Sequence, residues 1–154
     1  MSLHKARIKW KRESSDFSYE SYNREHEWRF ENGIAVNASA APEFRGSADC
    51  VDPEEAFVAA ISSCHMLTFL AICARRRITV DRYVDQAVGY LERAENNKWR
   101  ITRVELKPEI TYSGPAPGNE QLQRLHERSH QECFIANSVA TEIVVLHPDS
   151  TSPV

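Results

Sequence analysis

The stretch DPEEAFVAAISSCHMLTFLAICARRR, residues 52–77, decides the fold because it predicts one long central helix. Asp52 is suited to the N-cap, Pro53 begins the helix without needing its N–H, and Glu55 completes a capping box. Beyond this first turn, apolar or small residues lie on nearly every side, so the helix is expected to be central and mostly buried. Three arginines at 75–77 end it and complement the negative end of its dipole.

Strand signals flank this helix on both sides. Before it, alternation of apolar and polar residues and a turn at Asn32-Gly33 predict an antiparallel meander over residues 5–11, 17–30 and 34–36. After it, the pattern predicts strands and one more helix, at residues 84–91, 99–112, 119–133 and 142–146. Strand runs separated by two helices indicate an α+β fold, with antiparallel sheets packed on two long helices. We expect one domain over residues 1–154, with a flexible tail from 148.

Composition narrows the functional classes. The chain has 154 residues, 19 Lys and Arg against 22 Asp and Glu, and a formal net charge of −3. A nucleic-acid-binding protein usually shows a basic excess, so that class is not expected. The polar start MSLHKARIKWKRESS does not resemble a secretory signal, and polar residues interrupt the longest apolar run. These features predict a cytoplasmic protein that does not bind membranes.

The four cysteines, at 50, 64, 73 and 133, form no CxxC pair and no regular framework. Reduced thiols are therefore expected, each one either core filler or reactive. Cys64 follows two serines in the long helix and precedes His65, and Cys133 lies near the end of the second helix. Cys50 lies in a loop and Cys73 on an apolar helix face, which suggests structural roles for both.

Two motifs resemble the OsmC/Ohr family, which reduces organic hydroperoxides. The first is DPEEAFVAAISSCHM, residues 52–66, similar to the family's Asn/Asp-Pro-Glu-Glu helix that leads to a Ser-x-Cys. The second is HERSHQECFIANSV, residues 126–139, where a family cysteine ends the later helix. The predicted order of helices and strands also agrees with the family over nearly the whole chain. Phe134 departs from the family, where Pro is common, and so does His65, where an apolar residue is usual.

The resemblance implies a thiol-dependent peroxidase without a bound cofactor or metal. Cys64 would be the peroxidatic thiol that attacks the hydroperoxide, and Cys133 the resolving thiol. The Cys64 sulfenic acid would condense with Cys133 to a disulfide, which an external dithiol donor, a lipoylated protein in this family, would reduce. The attack needs a thiolate, and a free thiol of pKa ~8.5 supplies only a few per cent of it at neutral pH. A nearby cation is therefore required, since burial raises the pKa of a thiol.

An arginine is the cation that the resemblance implies, held by the glutamate at the start of the helix, which is Glu54 here. Arg24, in YNREHEW, and Arg45, in PEFRG, are the two candidates, and Arg24 is the better match. Glu54 and Cys64 are ten residues apart, about 15 Å along a continuous helix. If both belong to one site, a second subunit or a loop must connect them. This separation favours an intertwined homodimer with two sites at its interface.

Two other functions compete with the peroxidase. Cys64, His65, His130 and Cys133 could form a zinc site, although adjacent residues on a helix point about 100° apart. A non-catalytic protein of the same fold could bind a hydrophobic ligand in a pocket formed by five aromatic residues. These are Phe17, Tyr19, Tyr22, Trp28 and Phe44.

Overall fold

A computed structural model of the chain describes residues 1–146; the tail predicted from residue 148 lies outside the described residues. The chain divides into two compact units, Met1–Ala56 and Phe57–Val154. The α+β class is confirmed: both helices form, and antiparallel pairing dominates the sheets. The expectations of a single domain and of an intertwined homodimer stay predictions.

The first unit is built on a three-stranded antiparallel sheet. Strands β1 (Ala6–Lys9), β2 (His26–Phe30) and β3 (Ala35–Ala38) pair in the order β1-β2-β3. The predicted turn between β2 and β3 is present, and Gly33 supplies the positive φ of 83° that it requires. The predicted second strand is much shorter than expected, because Ser18 and Ser21 bond to each other and to nearby backbone to form a turn before it.

The helix α1 (Pro53–Arg75) begins at the predicted capping box. The Glu55 N–H donates to Oδ1 of Asp52 at 2.7 Å, and the Asp52 N–H donates to Oε2 of Glu55 at 3.4 Å. The expectation that α1 is mostly buried is wrong for this chain, since five of its residues are buried: Ile61, His65, Phe69, Ile72 and Cys73. By length and composition α1 could cross a membrane, but core helices of soluble proteins meet the same criterion, and its buried stripe fits a core helix.

The second unit contains two sheets and a second helix. Its elements after α1 are β4 (Thr79–Asp85), β5 (Val88–Arg93), β6 (Trp99–Leu106), β7 (Pro108–Ser113), α2 (Asn119–Glu132) and β8 (Glu142–Val145). One sheet pairs β4 with β7, and the other has the order β5-β6-β8. The β6–β8 pair is parallel, whereas the other pairs among these strands are antiparallel.

The prediction of two strands at 84–91 and 99–112 is wrong, because each of these segments breaks into parts of two strands. The breaks lie at residues 86–87 and at Lys107. Asp85 precedes the first break, and its carboxylate connects it to the second by accepting the Lys107 N–H at 2.6 Å. The same carboxylate accepts the Ser62 hydroxyl of α1 at 2.5 Å. The chain therefore changes sheets at Asp85 and again at Lys107.

Two apolar clusters in the second unit pack against α1. The first contains Ile61, Val104, Leu106 and Val145. The second contains Phe69, Ile72 and Cys73 from α1 and Leu125 from α2. The α1 helix therefore contributes to both clusters, and α2 contributes Leu125 to the second.

Tyr112 supports a prediction about stability. Its hydroxyl is buried without a hydrogen-bond partner among residues 1–146, and burial raises the pKa of Tyr112 from 10.0 to about 12. Between these values the unfolded chain loses the proton first, so the free energy of unfolding falls as pH rises from 10 to 12. We expect the free energy of unfolding of Tyr112→Phe to be about 1 kcal/mol higher than that of wild type at pH 7. Between pH 7 and pH 11 this variant should lose less stability than wild type.

Urea unfolding at both pH values measures this difference. Tyr90→Phe is the matched control, because the Tyr90 hydroxyl donates to Glu105 near the surface. Equal losses of stability at pH 11 in wild type and Tyr112→Phe would contradict the argument.

Candidate active site

Cys64 lies on the side of α1 that borders an open groove of about 800 Å³. The groove lies within the second unit, and its lining is largely apolar. It includes Ala60, Cys64, Leu67 and Ala71 from α1, and Phe134 and Ile135 from the segment after α2. Leu67 and Phe134 are large apolar residues exposed at 60% and 82%. A small apolar molecule could therefore reach the Cys64 thiol from this groove.

Cys133 lies at the C-cap of α2, where the chain leaves the helix in an extended conformation. The residue is 1% exposed, and its thiol sulfur accepts a hydrogen bond from the Ala136 N–H at 3.4 Å. Its carbonyl accepts the Asn137 N–H at 3.0 Å. Local backbone contacts therefore hold Cys133 in place immediately after the helix.

The structure brings Cys64 and Cys133 together. The two side chains are in hydrogen-bonding contact, and all four cysteines are free thiols. Burial, followed by the hydrogen bond with Cys64, raises the pKa of Cys133 to about 11. The two thiols are therefore unequal: Cys64 is half-buried and borders the groove, whereas Cys133 is buried and stays protonated at neutral pH.

This inequality predicts selective alkylation. Iodoacetamide at pH 7 is expected to modify Cys64 at least about tenfold faster than Cys133, because the reagent needs both access and thiolate. Peptide mass spectrometry over a time course measures the two rates. Denatured chain is the control, in which the two rates should converge. Faster modification of Cys133 in the folded protein would contradict this assignment.

The groove itself offers little positive charge near Cys64. Arg75 is the arginine among its lining residues, and it is eleven residues from Cys64, about 16 Å along α1. That separation is about twice the screening length at physiological salt, so the charge of Arg75 acts weakly on Cys64. Stabilising a thiolate at Cys64 therefore requires another cation.

Arg24 is a buried cation in the first unit. It is 8% exposed, and its terminal nitrogens donate to the carbonyls of Tyr19 and Tyr22. The guanidinium lies 3.7 Å from the centre of the Tyr22 ring, and its Nε is buried without a hydrogen-bond partner among residues 1–146. The ion pairs within residues 1–56 are Lys5–Glu31 and Arg29–Glu27, so no carboxylate of this unit neutralises Arg24.

The other two predicted site residues also lie in the first unit. Arg45 is exposed and packs 5.7 Å from the Tyr19 ring centre. Glu54 is half-buried in the first turn of α1 and belongs to neither ion pair of this unit. Glu54 and Arg24 form no ion pair within residues 1–56 of one chain, so their contact stays a prediction. Arg24 is buried and Arg45 is exposed, which distinguishes the two candidate cations.

The zinc hypothesis involves two histidines that the structure places differently. His65 is buried and lies 2.9 Å from His126, measured from Nε2 to Nδ1, whereas His130 is exposed. Among residues 1–146, no group of three or more His, Cys, Asp or Glu side chains is arranged to hold a metal ion. Sequence reasoning missed His126, although it lies one turn after Leu122 and next to Leu125, on the stripe predicted to be apolar.

The first unit contains a cavity of about 420 Å³, which is relevant to the hypothesis of a hydrophobic ligand. The residues that line it are Trp10, Phe17, Tyr22, Arg24, His26, Ser39, Ala40 and Pro53. Phe17 and Tyr22 are the two of the five predicted aromatic residues in this lining. The cavity therefore combines aromatic walls with the buried guanidinium of Arg24.

Several solved structures are similar to this chain. An OsmC-like protein of unknown function from Vibrio cholerae is 45% identical, with a TM-score of 0.91 over 96% of this chain and 99% of that one. An organic hydroperoxide resistance protein from Elizabethkingia anophelis is 19% identical, with a TM-score of 0.75 over 97% and 98%. An organic hydroperoxide resistance protein from Legionella pneumophila is 14% identical, with a TM-score of 0.68 over 96% of each chain.

The last two likenesses are low in identity and show the fold alone. No curated protein matches the sequence. The model of the family described as OsmC-like protein matches residues 46–147, which is more than half of the chain and includes both Cys64 and Cys133. This chain belongs to the OsmC-like protein family.

Proposed function

We propose that this protein is a thiol-dependent peroxidase that reduces organic hydroperoxides. The observation that carries the proposal is the contact between Cys64 and Cys133, one bordering an apolar groove and the other buried behind it. Neighbouring thiols can form a disulfide where the backbone allows the required geometry. Family membership and the organic hydroperoxide resistance proteins of the same fold support the same chemistry.

The proposed reaction has three steps. The Cys64 thiolate attacks the terminal oxygen of ROOH and the O–O bond breaks. The alkoxide leaves and takes a proton to become ROH, and Cys64 becomes a sulfenic acid. The Cys133 thiol then attacks the sulfur of Cys64, and the products are a disulfide and water. A dithiol donor, a lipoylated protein in this proposal, reduces the disulfide and is itself oxidised to a disulfide.

Arg24 is the cation that we assign to the Cys64 thiolate. A guanidinium about 4 Å from a thiolate contributes roughly 4 kcal/mol at an effective dielectric constant of ~20, before desolvation is subtracted. Arg24 supports this assignment because it is buried and forms no ion pair with a carboxylate of its own unit. Arg45 is the less suitable cation, because it is exposed and water screens its charge.

We also propose a homodimer with Glu54 in its active sites. Because α1 is continuous, Glu54 and Cys64 stay about 15 Å apart along the helix of one chain. Exposed Leu67 and Phe134 leave an apolar surface beside Cys64 that a second copy could cover. Glu54 of that copy would then orient Arg24 at the site.

The apolar helix α1 fits a core helix, and we place the reaction in the cytoplasm.

Consumption of cumene hydroperoxide with dihydrolipoamide as electron donor tests the function. We expect turnover with the donor and, without it, about one equivalent of peroxide consumed for each Cys64. Peptide mapping should then identify a Cys64–Cys133 disulfide. No consumption by the fully reduced protein, or a disulfide that joins other cysteines, would overturn the proposal.

A further inference from the structure

A buried pair of imidazoles connects the two helices that lead to Cys64 and Cys133. His65 follows Cys64 on α1, and His126 lies on α2, seven residues before Cys133. Both histidines are 1% exposed, and Nε2 of His65 lies 2.9 Å from Nδ1 of His126. This is a hydrogen bond in which one ring nitrogen donates and the other accepts.

Ring stacking restrains the same contact. The two imidazoles lie 6° from parallel with their centres 5.3 Å apart, which is the coplanar, edge-to-edge arrangement of an in-line N–H···N hydrogen bond, and His126 stacks on Phe69 at 4.5 Å. His65 and Phe69 are one turn apart on α1, so both rings lie on the same face of that helix. The imidazole of His126 is therefore fixed along α1 by the hydrogen bond to His65 and by stacking on Phe69.

His126 lies on the face of α2 that leads to Cys133, the C-cap residue of this helix. Seven residues are nearly two helical turns, which gives about 10 Å along the axis and almost no rotation around it. Ser129, between them on this face, is fully buried. Because a helix moves as a rigid unit over this length, a shift or rotation of α2 at His126 also moves Cys133.

We propose that His65 and His126 are positioning residues for disulfide closure between Cys64 and Cys133. The inference rests on the proposed function, in which closure follows attack on the peroxide. In that step the Cys133 sulfur bonds to the Cys64 sulfur, the S–O bond of the sulfenic acid breaks, and the hydroxyl leaves as water with the proton that the Cys133 thiol loses. The histidines exchange no atom in this step. They hold α2 so that the two sulfurs stay in contact.

The geometry of the hydrogen bond supplies matched variants. Asparagine carries its amide near the place of Nδ1, so His126→Asn retains a partner for His65. Glutamine carries its amide near the place of Nε2, so His65→Gln retains a partner for His126. His126→Leu keeps the volume and loses the bond. His130→Leu is the control, since His130 is an exposed histidine on the same helix.

Single-turnover oxidation separates the two chemical steps. Reduced protein is mixed with one equivalent of cumene hydroperoxide and quenched over time, and mass spectrometry counts dimedone-trapped sulfenic acid and the disulfide. We expect His126→Leu to close the disulfide about tenfold more slowly and to accumulate sulfenic acid, with the rate of peroxide attack within about twofold of wild type. His126→Asn, His65→Gln and His130→Leu should close within about threefold of wild type.

Diamide provides an arm that does not depend on peroxide chemistry, because it oxidises two neighbouring thiols to a disulfide directly. If wild type consumes no peroxide, the proposed function fails, and the closure rates with diamide still test the histidine pair. Closure by His126→Leu at the wild-type rate in both arms would overturn the inference. Equal slowing in His126→Asn and His126→Leu, or equal slowing of attack and closure, would do so as well.

Discussion

Serine in place of Cys64 is expected to lower the consumption of organic hydroperoxide by about a thousandfold or more. A serine hydroxyl is not ionised near neutral pH and cannot take oxygen from the peroxide to form a sulfenic acid. Cys133 cannot substitute for Cys64, because it is 1% exposed and burial raises its pKa to about 11. The measurement is the initial rate with cumene hydroperoxide and dihydrolipoamide.

Serine in place of Cys133 should have a different effect. The first turnover remains, since attack needs only Cys64, but the sulfenic acid then persists and reacts with dimedone. Cys50→Ser is the matched control, because Cys50 is a half-buried thiol in a loop of the first unit. Loss of the first turnover in Cys133→Ser, or a Cys64→Ser protein that still consumes peroxide, would contradict the assigned roles.

Local signals were sufficient to predict the start of α1 and the positions of the two cysteines. The capping box needs only Asp52, Pro53 and Glu55, so a sequence window of four residues contains it. The placement of Cys133 immediately after α2 follows from the polar and apolar pattern of that helix. Their contact could be expected only from family resemblance, because the sequence pattern by itself does not specify which helix ends meet.

Tertiary contacts decided the features that the sequence did not predict. The breaks at residues 86–87 and Lys107 depend on Asp85, whose carboxylate receives hydrogen bonds from residues far away in sequence. The pairing of His65 with His126 joins residues 61 positions apart, and each histidine alone resembles an ordinary polar residue on a helix. The exposed face of α1 was missed because an apolar composition indicates that a helix will be covered without saying by which molecule.

Removing the charge of Arg24 is expected to have the second largest effect on catalysis. If half of the roughly 4 kcal/mol of attraction at ~4 Å remains after desolvation, Arg24→Met slows peroxide attack at pH 7 about thirtyfold. The loss should shrink as pH rises toward 9–10, because hydroxide then forms the thiolate that the guanidinium no longer stabilises. Single-turnover attack rates between pH 6 and 10 measure both effects.

Two substitutions distinguish a charge effect from a loss of structure. Arg24→Lys keeps the charge but cannot reproduce the planar guanidinium that bonds to the carbonyls of Tyr19 and Tyr22, so an intermediate rate is expected. Arg45→Gln removes an exposed charge near the same Tyr19 ring and should leave the rate within about twofold. Urea unfolding of each variant checks the fold. A larger loss in Arg45→Gln than in Arg24→Met would transfer the role to Arg45, and a loss in Arg24→Met that is the same at pH 6 and pH 10 would show that Arg24 does not act through the thiolate.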